Sequence, residues 1–154
     1  MKVMGENGVG SILKTLLQIC FIGGIAILIL LPIVFIISGE SLGPLIYVLY
    51  PNGIAMLVIT KQFIGLFNLL KESNPFCDNT VKRLKTAGIA AGVMAILFFI
   101  QALYETFLVK ASLIFCIGIG FMSVLFLGVA IALYILSELF RQATEYKTEN
   151  DLTI

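Results

Sequence analysis

Residues that could carry chemistry are few in this chain of 154 residues, and they lie far apart. There is no histidine, so no imidazole is present to act as a general base or metal ligand near neutral pH. Cys20, Cys77 and Cys116 lack the spacing of a metal or redox site. The serine and threonine hydroxyls have no neighbouring base to activate them. We therefore expect no enzymatic activity, no cofactor and no metal ion.

The uncharged stretches predict the architecture. Only 12% of the residues are charged and the mean hydropathy is +1.08, whereas a soluble domain has about a quarter of its residues charged. Four intervals contain no Asp, Glu, Lys or Arg, and each is close to the roughly 20 residues that a membrane-spanning helix needs: 15–39, 41–60, 86–104 and 111–137. The sequence predicts an all-α integral membrane four-helix bundle, a single domain over 1–154 with the lipid bilayer as its surroundings. The predicted helices are 15–37, 42–70, 79–104 and 111–147.

The distribution of lysine and arginine predicts the orientation. With Lys61 set aside because its depth is ambiguous, eight basic residues lie at the two termini and between helices 2 and 3, against Lys110 alone on the other side. The eight are Lys2, Lys14, Lys71, Lys82, Arg83, Lys85, Arg141 and Lys147. Basic residues accumulate on the cytoplasmic side of a membrane. We expect a multi-pass protein of the plasma membrane with both termini cytoplasmic.

Helix 2 has two readings that differ in the depth of Lys61. In the first, the helix crosses the membrane at 42–60, kinked at Pro51, and 61–72 continues as a cytoplasmic stalk. In the second, it crosses at 54–70 and Lys61 lies near the midplane, where a charge is costly and usually functional. Lys61, Gly65, Asn68 and Glu72 share one face, which is either solvated or a polar seam against another helix. Glu138 lies at the inner end of helix 4, within reach of Lys61 or Arg83.

Two further features concern packing between helices. Gly88 and Gly92 are four residues apart in helix 3, a spacing that lets helices approach closely in lipid. We expect packing within the chain, with a dimer face as the alternative. Pro32 frees a carbonyl in helix 1, which a neighbouring helix can satisfy. On the continuation of helix 4, Arg141 and Glu145 are spaced to pair.

The segment NPFCDNTVKRLKTAG, residues 74–88, separates helices 2 and 3. Asn74 can cap a helix that begins at Pro75, with Asp78 or Asn79 as a second cap one turn later. The basic residues anchor the loop and meet anionic lipid headgroups. The sharper hypothesis is a cytoplasmic docking loop of Asn74, Pro75, Phe76, Asn79 and Arg83. In it, Arg83 or Lys82 pairs with Glu149 or Asp151, and Leu152 and Ile154 cover Phe76.

The loop and the C-terminus carry a resemblance that extends over essentially the whole chain. The NPF turn, Asn79, the basic stretch 82–85 and the terminal DLTI of 151–154 resemble the YoaS-like family of small bacterial membrane proteins, catalogued as domain of unknown function 2975. The resemblance implies a four-helix membrane protein without an established activity. It also implies, by analogy, a helix-turn-helix transcription regulator as a partner.

Two functions are compatible with these observations. The first is a non-enzymatic membrane protein whose cytoplasmic face binds or signals to a regulator protein, without itself binding nucleic acid. The alternative is a small transport, permeability or immunity-type component that acts as a homo-oligomer. A snorkelling Lys61 favours the first function, and a midplane Lys61 that lines a cavity favours the second.

Overall fold

The computed structural model describes residues 9–38, 43–71, 77–109 and 112–152, and these residues are almost entirely helical. The elements are α1 (Val9–Ser38), α2 (Gly43–Lys71), α3 (Asp78–Tyr104), a π-helical turn (Glu105–Val109) and α4 (Leu113–Leu152). Four helices are long and apolar enough to cross a membrane, which confirms the prediction of an all-helical, multi-pass protein. α1 begins before the predicted residue 15 and α4 extends past the predicted residue 147.

The helices pack in chain order. α1 contacts α2, α2 contacts α3, and α3 contacts α4 most extensively, while no other pair of these four helices is in backbone contact within the described residues. α3 therefore lies between α2 and α4 and supplies most of the core. Many large apolar side chains of α1 and α4 remain exposed, as expected of helices that face lipid.

Small residues make α3 the centre of the packing. Ala87 and Ala91 are fully buried, because α2 and α4 both press on the α3 surface that carries them. One cluster joins Ala91 to Ile59 of α2, with side chains of α4 packed against it. A second cluster joins Ala87 to Leu133 of α4. In lipid, van der Waals packing of this kind drives helix association.

Gly88 lies at a close approach of α3 and α4. A Cβ atom placed there would be 3.4 Å from the carbonyl oxygen of Ala130 and 3.5 Å from the backbone nitrogen of Tyr134. The same substitution at Gly92 would meet only the Cβ atom of Ala130, at an ordinary 3.9 Å. Of the two glycines predicted at a close helix contact, Gly88 is the one against the neighbouring backbone, and the contact is within the chain.

Replacing Gly88 with leucine should destabilise the protein by about 1–3 kcal/mol, because the side chain would push α4 away. The control is Gly128→Leu, since a Cβ atom at Gly128 meets nothing within 4 Å. Denaturation in mild detergent measures both variants. Equal stability of the two would show that the α3–α4 contact does not depend on Gly88.

Pro32 and Tyr50 form a hydrogen-bonded link between α1 and α2. Pro32 lies inside α1 and has no N–H, so the carbonyl of Leu28, four residues earlier, loses its helical donor. The hydroxyl of Tyr50 donates a hydrogen bond to that oxygen at 2.7 Å. The expectation that a neighbouring helix satisfies the carbonyl freed by Pro32 is confirmed.

Tyr50→Phe should cost about 1 kcal/mol of stability, because it leaves the Leu28 carbonyl unsatisfied in an apolar environment. The same change in a Pro32→Ala background should cost close to nothing, since residue 32 then supplies the missing N–H. The free energies of unfolding of the parent, both single variants and the double variant form a double-mutant cycle. An equal loss in the two backgrounds would contradict the link.

Lateral contacts fix the axial register of the four helices. A Cβ atom at Gly53 would lie 2.7 Å from Leu28, so these residues of α2 and α1 are level. Ala55 of α2 belongs to the cluster in the middle of α3. Ser123 of α4 donates a hydrogen bond to the Ala95 carbonyl of α3 at 2.8 Å. These contacts bring the four helices into a common central level.

Candidate functional site

Polar side chains gather at one end of the bundle. Because neighbouring helices run in opposite directions, the end of α2, the start of α3 and the end of α4 meet there. Of the charged residues that the structure describes after Lys14, all except Glu105 lie towards this end. We call it the polar end and describe its three parts in turn: the start of α3, the α2–α3 side and the α3–α4 side.

α3 begins at Asp78, with Cys77 as its N-cap in an extended conformation and no side-chain cap bond. The Cys77 carbonyl accepts the N–H groups of Thr80 and Val81. The buried Thr80 hydroxyl lies 3.4 Å from the Cys77 sulfur. That hydrogen bond is the main reason why the pKa of the Cys77 thiol lies below its usual value. α3 therefore begins later than the predicted Pro75, and its N-cap is Cys77 and not the predicted Asn74, Asp78 or Asn79. Asn74, Pro75 and Phe76 themselves lie outside the described residues.

On the α2–α3 side, the side chain of Arg83 lies across the backbone of α2. A Cβ atom at Gly65 would overlap the guanidinium, and even the Nε atom would be 2.8 Å away. Nη1 of Arg83 donates a long hydrogen bond, 3.5 Å, to Oε1 of Gln62. Gly65 therefore leaves the space that the Arg83 guanidinium occupies, since any larger residue would displace it. We call this contact of Gly65 with the Arg83 guanidinium the seat of Arg83.

The predicted polar stripe of α2 has a mixed environment. Gly65 is buried beneath Arg83, whereas Lys61 and Asn68, one turn away on either side, are exposed. Glu72, the last member of the stripe, lies outside the described residues. The stripe is thus neither a wholly solvated face nor a seam of polar side chains, because its contact with α3 is made through a glycine.

On the α3–α4 side, Arg141 bridges two carboxylates of its own helix. Its guanidinium pairs with Glu138 and with Glu145, both at 2.5 Å. The predicted pair of Arg141 and Glu145 is confirmed. Glu138, expected near Lys61 or Arg83, is held by Arg141, and Lys85 of α3 adds a longer-range attraction. The pair of Glu138 and Arg141 was not predicted, although its i, i+3 spacing indicates it.

A cleft of about 290 Å³ separates the start of α3 from the last turns of α4. Its lining consists of Asp78, Arg141, Thr144, Glu145, Thr148 and Glu149. Asn79 is exposed nearby, but Arg83 points to α2 instead. The structure therefore places Arg83 and Glu149, predicted as partners, on different sides of α3. The covering of Phe76 by Leu152 and Ile154 falls on residues outside those described.

Residues 16–154 match the family described as "Protein of unknown function (DUF2975)". Neither a curated protein nor a solved structure matches the chain. The matched range begins within α1 and continues through α2, α3 and α4.

Proposed function

The chain belongs to the family of unknown function DUF2975, and we propose that it is a non-enzymatic plasma-membrane protein whose polar end binds a cytoplasmic protein. The observation that carries this proposal is the continuation of α4. The uncharged run ends at Ser137, yet the helix continues unbroken to Leu152. At 1.5 Å per residue this continuation extends about 22 Å, beyond the apolar part of the bundle.

The charge of the α4 continuation indicates the chemistry of the partner. Between residues 138 and 152 it carries four carboxylates, Glu138, Glu145, Glu149 and Asp151, against Arg141 and Lys147. A surface with this excess of negative charge attracts a basic protein surface and repels nucleic acid. A helix-turn-helix regulator, the partner class that the family resemblance implies, carries such a basic surface.

The depth inferred for Lys61 supports binding over transport. Residues 27, 95 and 124 are central in the uncharged runs of α1, α3 and α4, and the lateral contacts bring α2 to the same level near Gly53 and Ala55. Lys61 is then roughly 10 Å from the midplane, and the inner edge of the hydrocarbon is about 15 Å from it. An exposed lysine at that depth snorkels to the surface.

The proposed orientation puts the polar end in the cytoplasm, in agreement with the excess of basic residues there. In a background where Cys20, Cys77 and Cys116 are serine, Ser41→Cys should react with an impermeant thiol reagent added to intact cells. Ser73→Cys should react only after the cells are opened. The reverse pattern would overturn the orientation.

The partner is tested by cross-linking in native membranes. A basic cytoplasmic protein should be cross-linked to the parent but lost from the double variant Glu145→Lys, Glu149→Lys, because the reversed charges repel it. Glu105→Lys, on the π-helical turn at the other end of α3, is the matched control and should retain the partner. Mass spectrometry identifies the adducts, and insertion is checked for each variant. If the same adducts persist in the double variant, the proposed surface is wrong.

A further inference from the structure

The seat of Arg83 is part of a groove that the binding of a cytoplasmic protein leaves unexplained. We call it the Arg83 groove: the furrow between α2 and α3 where Arg83 lies against Gly65 and Gln62, with the exposed residues Lys61, Asn68 and Lys82 along its rim. α4 packs on the other side of α3, where Gly88 meets its backbone. Lys61, Asn68 and Lys82 along the rim are exposed, so the described part of the groove is accessible from outside the helix bundle.

Arg83 has no carboxylate partner among the residues that the structure describes. Its guanidinium has five N–H donors, and the hydrogen bond found for it is the long one to Gln62. Arg141, on the far side of α3, pairs with two carboxylates, whereas no carboxylate of the described residues lies at such a distance from Arg83. Lys61 and Lys82 are exposed beside it. Positive charge thus converges on the groove.

The level of the groove matches that of lipid phosphates. Arg83 is twelve residues from Ala95 along α3, which is roughly 18 Å from the bilayer midplane. The hydrocarbon ends about 15 Å from the midplane, so the guanidinium lies just outside it. Lys61 lies deeper and snorkels towards the same level.

An apolar surface continues below the charged one. The exposed side chains of Ile54 on α2 and of Ile89 and Val93 on α3 lie on the hydrocarbon side of the groove. They provide a contact surface for acyl chains directly beneath the cations. A free phosphate ion would use the cations alone, whereas a phospholipid uses both surfaces.

We propose that the Arg83 groove binds the headgroup phosphate of an anionic membrane phospholipid. The planar guanidinium, which lies against α2 at Gly65, can present two parallel N–H groups to phosphate oxygens. Lys61 and Lys82 contribute charge, and the net negative charge of the headgroup explains the preference over zwitterionic lipids. The site does not depend on the orientation of the protein or on its soluble partner.

Native mass spectrometry of the detergent-purified protein with added phosphatidylglycerol or phosphatidylcholine tests this site. The parent should bind phosphatidylglycerol preferentially. Arg83→Gln should weaken that binding by roughly tenfold or more. Lys85→Gln removes the same charge on the α4 side of α3 and should cause at most the roughly fivefold loss of a surface charge. Equal losses in these two variants would reduce the effect to general surface charge and overturn the proposal.

Two further variants separate the effect of the contact between Gly65 and Arg83 from the effect of the charge. Gly65→Ala keeps every charge but displaces the guanidinium, so it should also weaken phosphatidylglycerol binding, while Gly118→Ala, at an open position of α4, should not. Unchanged lipid binding in a folded Gly65→Ala variant would contradict the seat. Excess glycerol phosphate should leave the bound lipid in place. Complete displacement by it would show that the site binds a soluble phosphate instead of a lipid.

Discussion

The structure depends on the close packing that the small residues of α3 permit. Alanines at 87 and 91 have no exposed surface, and Gly88 meets the backbone of α4, so α3 can be in contact with two helices at once. Hydrophobicity cannot hold helices together in lipid, where the surroundings are equally apolar. The tight contacts do so, and they also fix how far each helix extends beyond its neighbour. Everything inferred about depth follows from that register.

The same register divides the charges of the polar end between two faces. On one face, the side chain of Arg83 from α3 lies against α2 at Gly65, with Lys61 nearby. Carboxylates predominate on the continuation of α4, where Arg141 bridges two of them. α3 stands between these faces and keeps their charges apart. If one face binds the phosphates of the membrane and the other binds a basic protein, as we propose, the lipid and the partner use different residues.

The sequence predicted the helices well because a lack of charge over about 20 residues is a strong physical signal for a membrane span. It also predicted local pairs such as Arg141 with Glu145, since spacing along one helix decides them. It did not predict that Gly65 seats Arg83 or that Tyr50 satisfies the Leu28 carbonyl. Both depend on which residues of different helices are level, and that is decided by packing. Apolar helices fit one another in many registers, so composition alone did not select this one.

The most direct test of the account is the depth of three exposed positions on one face of α2. Ile54, Lys61 and Asn68 are seven residues apart, and each can carry a spin label through cysteine in a background without native cysteines. Collisions with oxygen, which prefers the bilayer centre, are compared with those of a water-soluble nickel chelate. We expect the oxygen preference to be greatest at position 54, lower at 61, and absent at 68, about 21 Å from position 54. A maximum at position 61 would place that residue at the midplane and contradict both the register and the lipid site.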